Sequence, residues 1–317
     1  MDRTLKPTIA IATGDPGGIG PEISIKAALD ERVLAMCEPV LVGDRSVLEL
    51  HAGACGLALE GISIVHRPQL RSGEVKIGAL QAAHGRAALD SARAAIEGAL
   101  AREYHAVVAA PHTEAAIRAA GYDFDGYPSF VARIAGLPPE DGILMLCFQW
   151  QGREVRIPHV TLHASVRHAL AMVTRERVLK VIRATADALK KIGFPGPRIA
   201  VGGVNPHAGE GGLFGEEDME IVSPAIEAAR GQGIVAEGPV GADTLIQRPG
   251  YDAYVVMLHD QGHVAAKVLA PNGAAALTIG TPVLFSSVAH GAALDIAGKG
   301  IAQHAAMVEA ITRLARR

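Results

Sequence analysis

Residues 8–29, TIAIATGDPGGIGPEISIKAAL, carry the reading on which the fold turns. Residues 8–15 form an apolar run, read as a strand, that ends in a glycine-rich turn, and residues 21–29 read as the helix that follows. The same unit recurs along the chain. EPVLVGD (38–44) is a second strand, and residues 84–103 carry apolar side chains at helical spacing without proline. HAVVAAPH (105–112) is a buried strand with His112 near its end. Residues 153–165 are extended and place His159 and His163 four apart. Residues 173–193 form a long amphipathic helix, closed by Gly193 with Pro195 beyond. Residues 197–212 open a strand into a second glycine-rich loop. Tyr254 to Leu258 is a buried strand that stops at His259, residues 275–291 follow, and a helix runs to the C-terminus. Such alternation predicts an α/β fold with mostly parallel sheets, and ligands then sit at the carboxyl ends of strands. Asp15, His112, His163, His207 and His259 all fall there. No internal repeat or flexible linker interrupts the pattern, so any two domains are interleaved by strand exchange.

The 317 residues suffice for one large or two medium domains. About half are hydrophobic and only 4% are aromatic, so the core is to be built from small and branched aliphatics. A net charge of −3, with no basic block, offers no footprint for nucleic acid. The N-terminus does not read as a signal peptide, and no apolar run reaches the roughly 20 residues of a membrane span. Cys37, Cys55 and Cys147 are odd in number and form no CxxC pattern, which suits buried thiols in a reducing cytoplasm.

His163, His207 and His259 each follow an apolar, strand-like run. Three neutral imidazoles with an open position suit catalytic Zn²⁺, and Ni²⁺, Co²⁺ or Mn²⁺ also accept such donors. Taken singly, each histidine reads more readily as a strand cap bonded to backbone. GDPGGIGPE (14–22) can present backbone N–H groups to an anion at a helix N-terminus, or serve only as a tight turn. It is neither a dinucleotide fingerprint nor a P-loop. Lys267 stands between apolar stretches as a surface cation or as a partner for a carboxylate. Asp243 in VGADTL is a helix N-cap or a site acid.

GDPGGIGPE, NPHAGEGG, GADTL, HDQG and HGAALDIAGKG occur in this order and resemble the 4-hydroxythreonine-4-phosphate dehydrogenase family. GIGPE and HGAALDIAGKGIA resemble, more distantly, isopropylmalate and isocitrate dehydrogenases. The resemblance runs from about residue 8 to about residue 303. It implies two α/β subdomains with a cleft between them, here 1–120 plus 271–317 on the cofactor side and 121–270 on the metal and dimerisation side. It implies a homodimer whose active sites are shared. It also implies a chemistry: metal-dependent oxidation of a β-hydroxy acid by NAD, followed by decarboxylation. The metal ligands fall on His163, His207 and His259, with zinc as the leading metal. The substrate lysine falls on Lys267, and Asp243 joins it as a catalytic candidate. Gly14, Asp15, His290, Gly291 and Asp295 fall in the loops assigned to the cofactor.

Departures from the family pattern bear on the substrate. Where the family has a phosphate-holding histidine–threonine pair, this chain reads DGYPSF, with Tyr127 and Pro128. The substrate asparagine aligns with Ala276, the substrate arginine with Phe285, and an expected lysine with Glu114. A phosphate dianion needs several charge-assisted donors, and burying one against Phe and Ala would cost several kcal/mol. The substrate is therefore expected to be an unphosphorylated carboxylate. GYPS, HVTLH, MLHDQGH, LAPNGA and SSV-HG resemble a second group of the superfamily more closely, the dihydrodiol dehydrogenases of terephthalate degradation. That group implies oxidation of 1,2-dihydroxy-3,5-cyclohexadiene-1,4-dicarboxylate to protocatechuate. Tyr127, Pro128 and Phe285 suit a flat ring, and Ser129, Ser286, Ser287 or Asn272 are candidates for its second carboxylate. Two alternatives stand beside this reading: the vitamin B6 enzyme or a sugar-acid phosphate relative, and a zinc hydrolase using a metal-bound hydroxide.

Overall fold

The computed structural model describes residues 6–70, 73–271, 273–288 and 290–316. Asn272 lies outside these residues. The chain divides into two compact units, Met1–Pro139 with Thr281–Arg316, and Glu140–Gly280.

The first unit contains β1 (Thr8–Ala12), α1 (Gly20–Leu29), α2 (Glu31–Met36), β2 (Glu38–Gly43), α3 (Arg45–Cys55), β3 (Ser63–His66), α4 (Ala82–Leu100), β4 (Ala106–Ala109), α5 (Glu114–Ala119) and α6 (Tyr127–Ile134). The second contains β5 (Ile143–Trp150), β6 (Arg153–Pro158), α7 (Val166–Met172), α8 (Arg175–Lys191), β7 (Arg198–Gly202), α9 (Ser223–Arg230), β8 (Val235–Val240), α10 (Ala242–Leu245), β9 (Ala253–Val255), α11 (His259–Leu269) and β10 (Ala275–Ile279). The chain then returns to the first unit with β11 (Phe285–Val288) and α12 (Ala305–Ala315).

The strands of the first unit run β3-β2-β1-β4-β11, every pairing parallel. Burial on both faces explains why β1 and β4 read as unbroken apolar runs rather than alternating ones. One core cluster joins Ala10 and Ala12 of β1, Leu89 and Ile96 of α4, and Tyr127, Phe130 and Phe285.

In the second unit β7 lies between β8 and β9, all parallel. Beside this expected pattern stand antiparallel pairs, β10 with β5 and β5 with β6. Gln151 and Gly152, both at positive φ, make the two-residue turn that joins β5 to β6.

The breaks between units fall at Pro139 and Gly280, against the expected 120 and 270. Packing explains both positions. Helices α5 and α6 lie on α4 and feed Ile117, Tyr127 and Phe130 into the first unit's core. Strand β10 is held by β5 along its whole length.

The strand before His259 is shorter than its sequence suggests. Strand β9 ends at Val255, and extended pairing persists through the Val160 and Thr161 amides, which donate to the carbonyls of Val256 and Met257. His259 then opens α11, a helix that the sequence did not announce.

Candidate functional site

Histidines of the second unit converge where β9 gives way to α11. The rings of His163 and His259 lie 5.7 Å apart, tilted by 45°. They line a cavity of about 350 Å³ with Leu162, Ala164, Val166 and Leu258. His259 Nδ1 donates to Asp260 Oδ1 at 2.7 Å, so Nε2 is the nitrogen left to face a metal. A metal bonded to two imidazoles at about 2 Å stands roughly 3 Å from each centroid, so the two centroids come about 5 Å apart. The separation of the His163 and His259 rings, 5.7 Å, is thus close to that of two imidazoles on one divalent metal, and their donor chemistry suits zinc.

His207 occupies a different place. Its loop, Asn205 to Gly212, runs through six consecutive residues at positive φ, His207 to Gly212. Buried Asp218 holds the start of that loop, accepting the Val204 amide at 2.7 Å and the Asn205 amide at 3.0 Å. The His207 ring is exposed and faces Glu210, Nδ1 to Oε2 3.5 Å. Among the described residues no three His, Cys, Asp or Glu side chains come together in one set able to hold a metal ion. Gln261 ties the two histidine-bearing segments together. Its Oε1 accepts the Met257 and Leu258 amides at 2.9 and 3.0 Å, and its Nε2 donates to the Gly203 carbonyl at 3.0 Å.

Two further histidines back this cluster. His263 lies parallel to His259, centroids 3.8 Å apart at 6°, and His159 adjoins His263 at 4.8 Å. Burial, reinforced by neighbouring imidazoles, brings His159 down to about 3 and His263 down to about 4. Gly262 is required here, because a methyl group in its place would collide with His159 Nε2. The i, i+4 spacing of His259 and His263 was the only sequence signal for this arrangement, since nothing marked its residues as helical.

Lys267 is exposed, two turns along α11 from His259. Asp243 is exposed in the first turn of α10, close to Gly241, whose Cα faces the backbone of His207. Gly241 stands at the N-cap, so Asp243 is not the cap that its sequence context allowed.

The loops expected to meet the cofactor are physically joined within the first unit. The Ile19 amide donates to the Ala292 carbonyl at 2.8 Å, and a methyl on Gly18 would sit 2.6 Å from Ala292 Cβ. Glu22, fully buried, accepts from Lys26 Nζ at 2.6 Å and from the Ala302 amide at 2.9 Å. Lys26 also donates to the carbonyls of Gly300 and Ala302. GIGPE and GKGIA, far apart in sequence, are thus one structure.

Gly14 adopts φ +73°, and any side chain there would strike the Pro111 carbonyl. Asp15 is fully buried. It accepts the Gly17 amide at 2.8 Å and lies 3.6 Å from buried His84, so its carboxylate shapes the turn from within. Gly291 and Asp295 are exposed, and the His290 ring turns to the Gly291 carbonyl.

The substrate candidates of the first unit are aromatic and largely enclosed. Tyr127, at the start of α6, is 4% exposed. It packs on Phe285 at 4.8 Å, with His112 and Phe124 edge-on at 4.9 and 5.4 Å. Burial raises its phenol and lowers His112. Ser129 is half-buried and donates to the Gly126 carbonyl. Ser286 is fully buried in β11, whereas Ser287 beside it is half-buried and the more accessible of the two.

Residues 35–314 match the family model described as pyridoxal phosphate biosynthetic protein PdxA. The chain belongs to the PdxA family. Relatives in more than one activity group share its length. A 1,2-dihydroxy-3,5-cyclohexadiene-1,4-dicarboxylate dehydrogenase of a Comamonas species is 43% identical over 310 residues, covering 96% of each chain. The crystal structure of a terephthalate 1,2-cis-dihydrodiol dehydrogenase from Burkholderia xenovorans superposes with a TM-score of 0.77 at 40% identity, covering 98% of each chain. A 4-hydroxythreonine-4-phosphate dehydrogenase from Burkholderia phymatum superposes with a TM-score of 0.84 at 32% identity, covering 99% of this chain and 100% of the other. This PdxA-family chain is thus similar to dehydrogenases, and no helix among its described residues is long and apolar enough to cross a membrane.

Proposed function

We propose that this PdxA-family member is an NAD-linked, metal-dependent dehydrogenase that oxidises a β-hydroxy acid and releases CO₂. Its substrate is a cis-dihydrodiol dicarboxylate of the terephthalate type, and its product is protocatechuate. The observation that carries this choice is the contact between Tyr127 and Phe285. Both stand where the 4-hydroxythreonine-4-phosphate enzymes are expected to place phosphate donors. Two rings packed together in the core cannot replace those donors for a dianion. The similarity to the dihydrodiol dehydrogenases of Comamonas and Burkholderia xenovorans supports the same choice.

Zinc bound at the histidine cluster would polarise the substrate hydroxyl and carboxylate, and NAD would take the hydride. His163 and His259 are the ligands that this chain brings together, and His207 completes the set in a homodimer with shared sites. Asp260 keeps His259 in the ligating tautomer. Lys267 supplies a cation for a substrate carboxylate, and Asp243 stands beside the His207 loop as an acid–base candidate. Loss of CO₂ from the β-keto acid restores an aromatic ring, which drives the reaction forward. Exposed Val166 and Leu170 on α7, Val264 and Val268 on α11, and Leu213 with Phe214 support the dimer as apolar side chains that a partner would cover. The enzyme is proposed to be cytoplasmic, with no nucleic-acid partner.

The second reading, 4-hydroxythreonine-4-phosphate dehydrogenase, is favoured by the family description and by the Burkholderia phymatum structure. NADH formation at 340 nm separates the two. The terephthalate cis-dihydrodiol and 4-phosphohydroxythreonine are assayed with and without a chelator. Turnover of the diol alone, abolished by chelation and restored by Zn²⁺, is expected. Turnover of the phosphate ester alone would sink the substrate proposal.

A further inference from the structure

We infer that His263 is a positioning residue that holds the His259 imidazole in its ligating orientation by parallel stacking. The inference rests on the proposed reading of His259 as a metal ligand, and it assigns His263 no bond to the metal. The rings of His259 and His263 are parallel within 6° and stacked at 3.8 Å, the closest approach of any ring pair in the cluster. His263 is itself pinned. Its Nδ1 donates to the His259 carbonyl at 3.2 Å, one helical turn back. Its other neighbour is His159, 4.8 Å away, 1% exposed and tied through Nδ1 to the Leu144 carbonyl at 3.3 Å. Gly262 supplies the space that lets His159 reach this position.

A row of imidazoles thus runs from the core to the ligand: His159, His263, His259. The row answers a mechanical need. His259 is the first residue of α11, and its side chain is 35% exposed. Its polar anchor among the described residues, Asp260, is 84% exposed, so that hydrogen bond competes with water and holds the ring weakly. Stacking restrains the ring's remaining rotation, and a ligand held within a narrow angular range loses less entropy on binding metal. Any flat ring at position 263 serves this purpose, whereas a flexible side chain does not.

The full-length protein is stripped of metal and titrated with Co²⁺, read by its visible absorption, and with Zn²⁺ against a chromophoric chelator. His263→Ala and His263→Gln are expected to bind both ions about tenfold or more weakly, a typical loss when ligand support is removed. An altered Co²⁺ band should accompany the loss. His263→Phe is expected to restore affinity and band, because it keeps the flat ring and drops the nitrogens. Wild-type affinity and spectrum in His263→Ala and His263→Gln, with binding lost in His259→Ala, would overturn the inference and leave the metal site standing. Equal weakness of His263→Phe and His263→Ala would also overturn it, by showing that a ring nitrogen matters rather than the stack. Undiminished binding by His259→Ala would remove the metal reading and this inference with it.

Discussion

Tyr127 and Phe285 lie ring to ring, 4.8 Å apart and tilted by 48°, although 158 positions separate them in the sequence (285 − 127). Two departures from the family pattern are therefore one structural change. An arginine restored at Phe285 alone would place a guanidinium against the Tyr127 ring inside the core. Phe285→Arg is expected to lower the unfolding free energy by more than about 3 kcal/mol and to confer no turnover of a phosphate ester. Urea denaturation and the NADH assay read the two effects. A stable Phe285→Arg enzyme would mean that this region has room for a cation after all.

Glu22→Ala tests the union of the first and last glycine loops. It leaves Lys26 and the Ala302 amide without their shared carboxylate. Removing one partner of a largely buried pair costs about 3 kcal/mol. On the proposed reading of the GKGIA loop, NAD(H) affinity also falls. Glu22→Gln, which retains an acceptor, should recover part of both. Unchanged urea midpoints in Glu22→Ala would show that the loops hold together by other means.

Asp218→Ala orphans the Val204 and Asn205 amides at the root of the His207 loop. An unsatisfied donor costs about 1–3 kcal/mol when buried, and because both amides are part-buried the lower part of the summed range of about 2–6 kcal/mol is expected, about 2–4 kcal/mol. Metal uptake should fall along with it, since the loop carries the third proposed ligand. Equilibrium unfolding and metal content by elemental analysis measure the pair. Full metal content in a destabilised variant would uncouple the loop from the site.

Part of the acid sensitivity should trace to His159. Its folded form resists protonation until about pH 3, against an ordinary value of about 6.5. Below about pH 6.5 the unfolded chain takes up a proton that the folded chain refuses. The neutral side chain's contribution is thus complete above pH 6.5. It falls by at most about 1.4 kcal/mol per pH unit as the pH drops toward 3. His159→Gln has no such proton to refuse. The stability advantage of wild type over this variant should therefore shrink by about 2 kcal/mol between pH 7.5 and pH 5. A constant difference across that range would show that His159 titrates normally.

The first strand, its glycine turn and the following helix were legible because β1 is buried on both faces and Pro21 marks the helix start. The ending of an apolar run at His259 was legible for the same reason. Helix α11 was not. Its buried positions are Gly262 and Ala266, while Val264 and Val268 face outward, so the apolar stripe that usually betrays a helix points the wrong way. The imidazole row stayed hidden with it. Asp15 was read as a loop residue open to a cofactor, yet the turn folds its carboxylate inward to the Gly17 amide. The bond between Glu22 and Ala302 joins residues that no local pattern connects.

The return of the chain to the first unit has a consequence for its synthesis. Strand β11 pairs with β4, and α12 packs on α1, α2, β4 and β11. A nascent chain that has completed the whole second unit still lacks both. One flank of β4 and the apolar surface beneath α12 then wait exposed until β11 and α12 leave the ribosome. The second unit has its own core and all of its strands by that moment. Synthesis order thus favours the later-encoded unit folding first, and the interval before β11 arrives is when the chain is most open to misassociation.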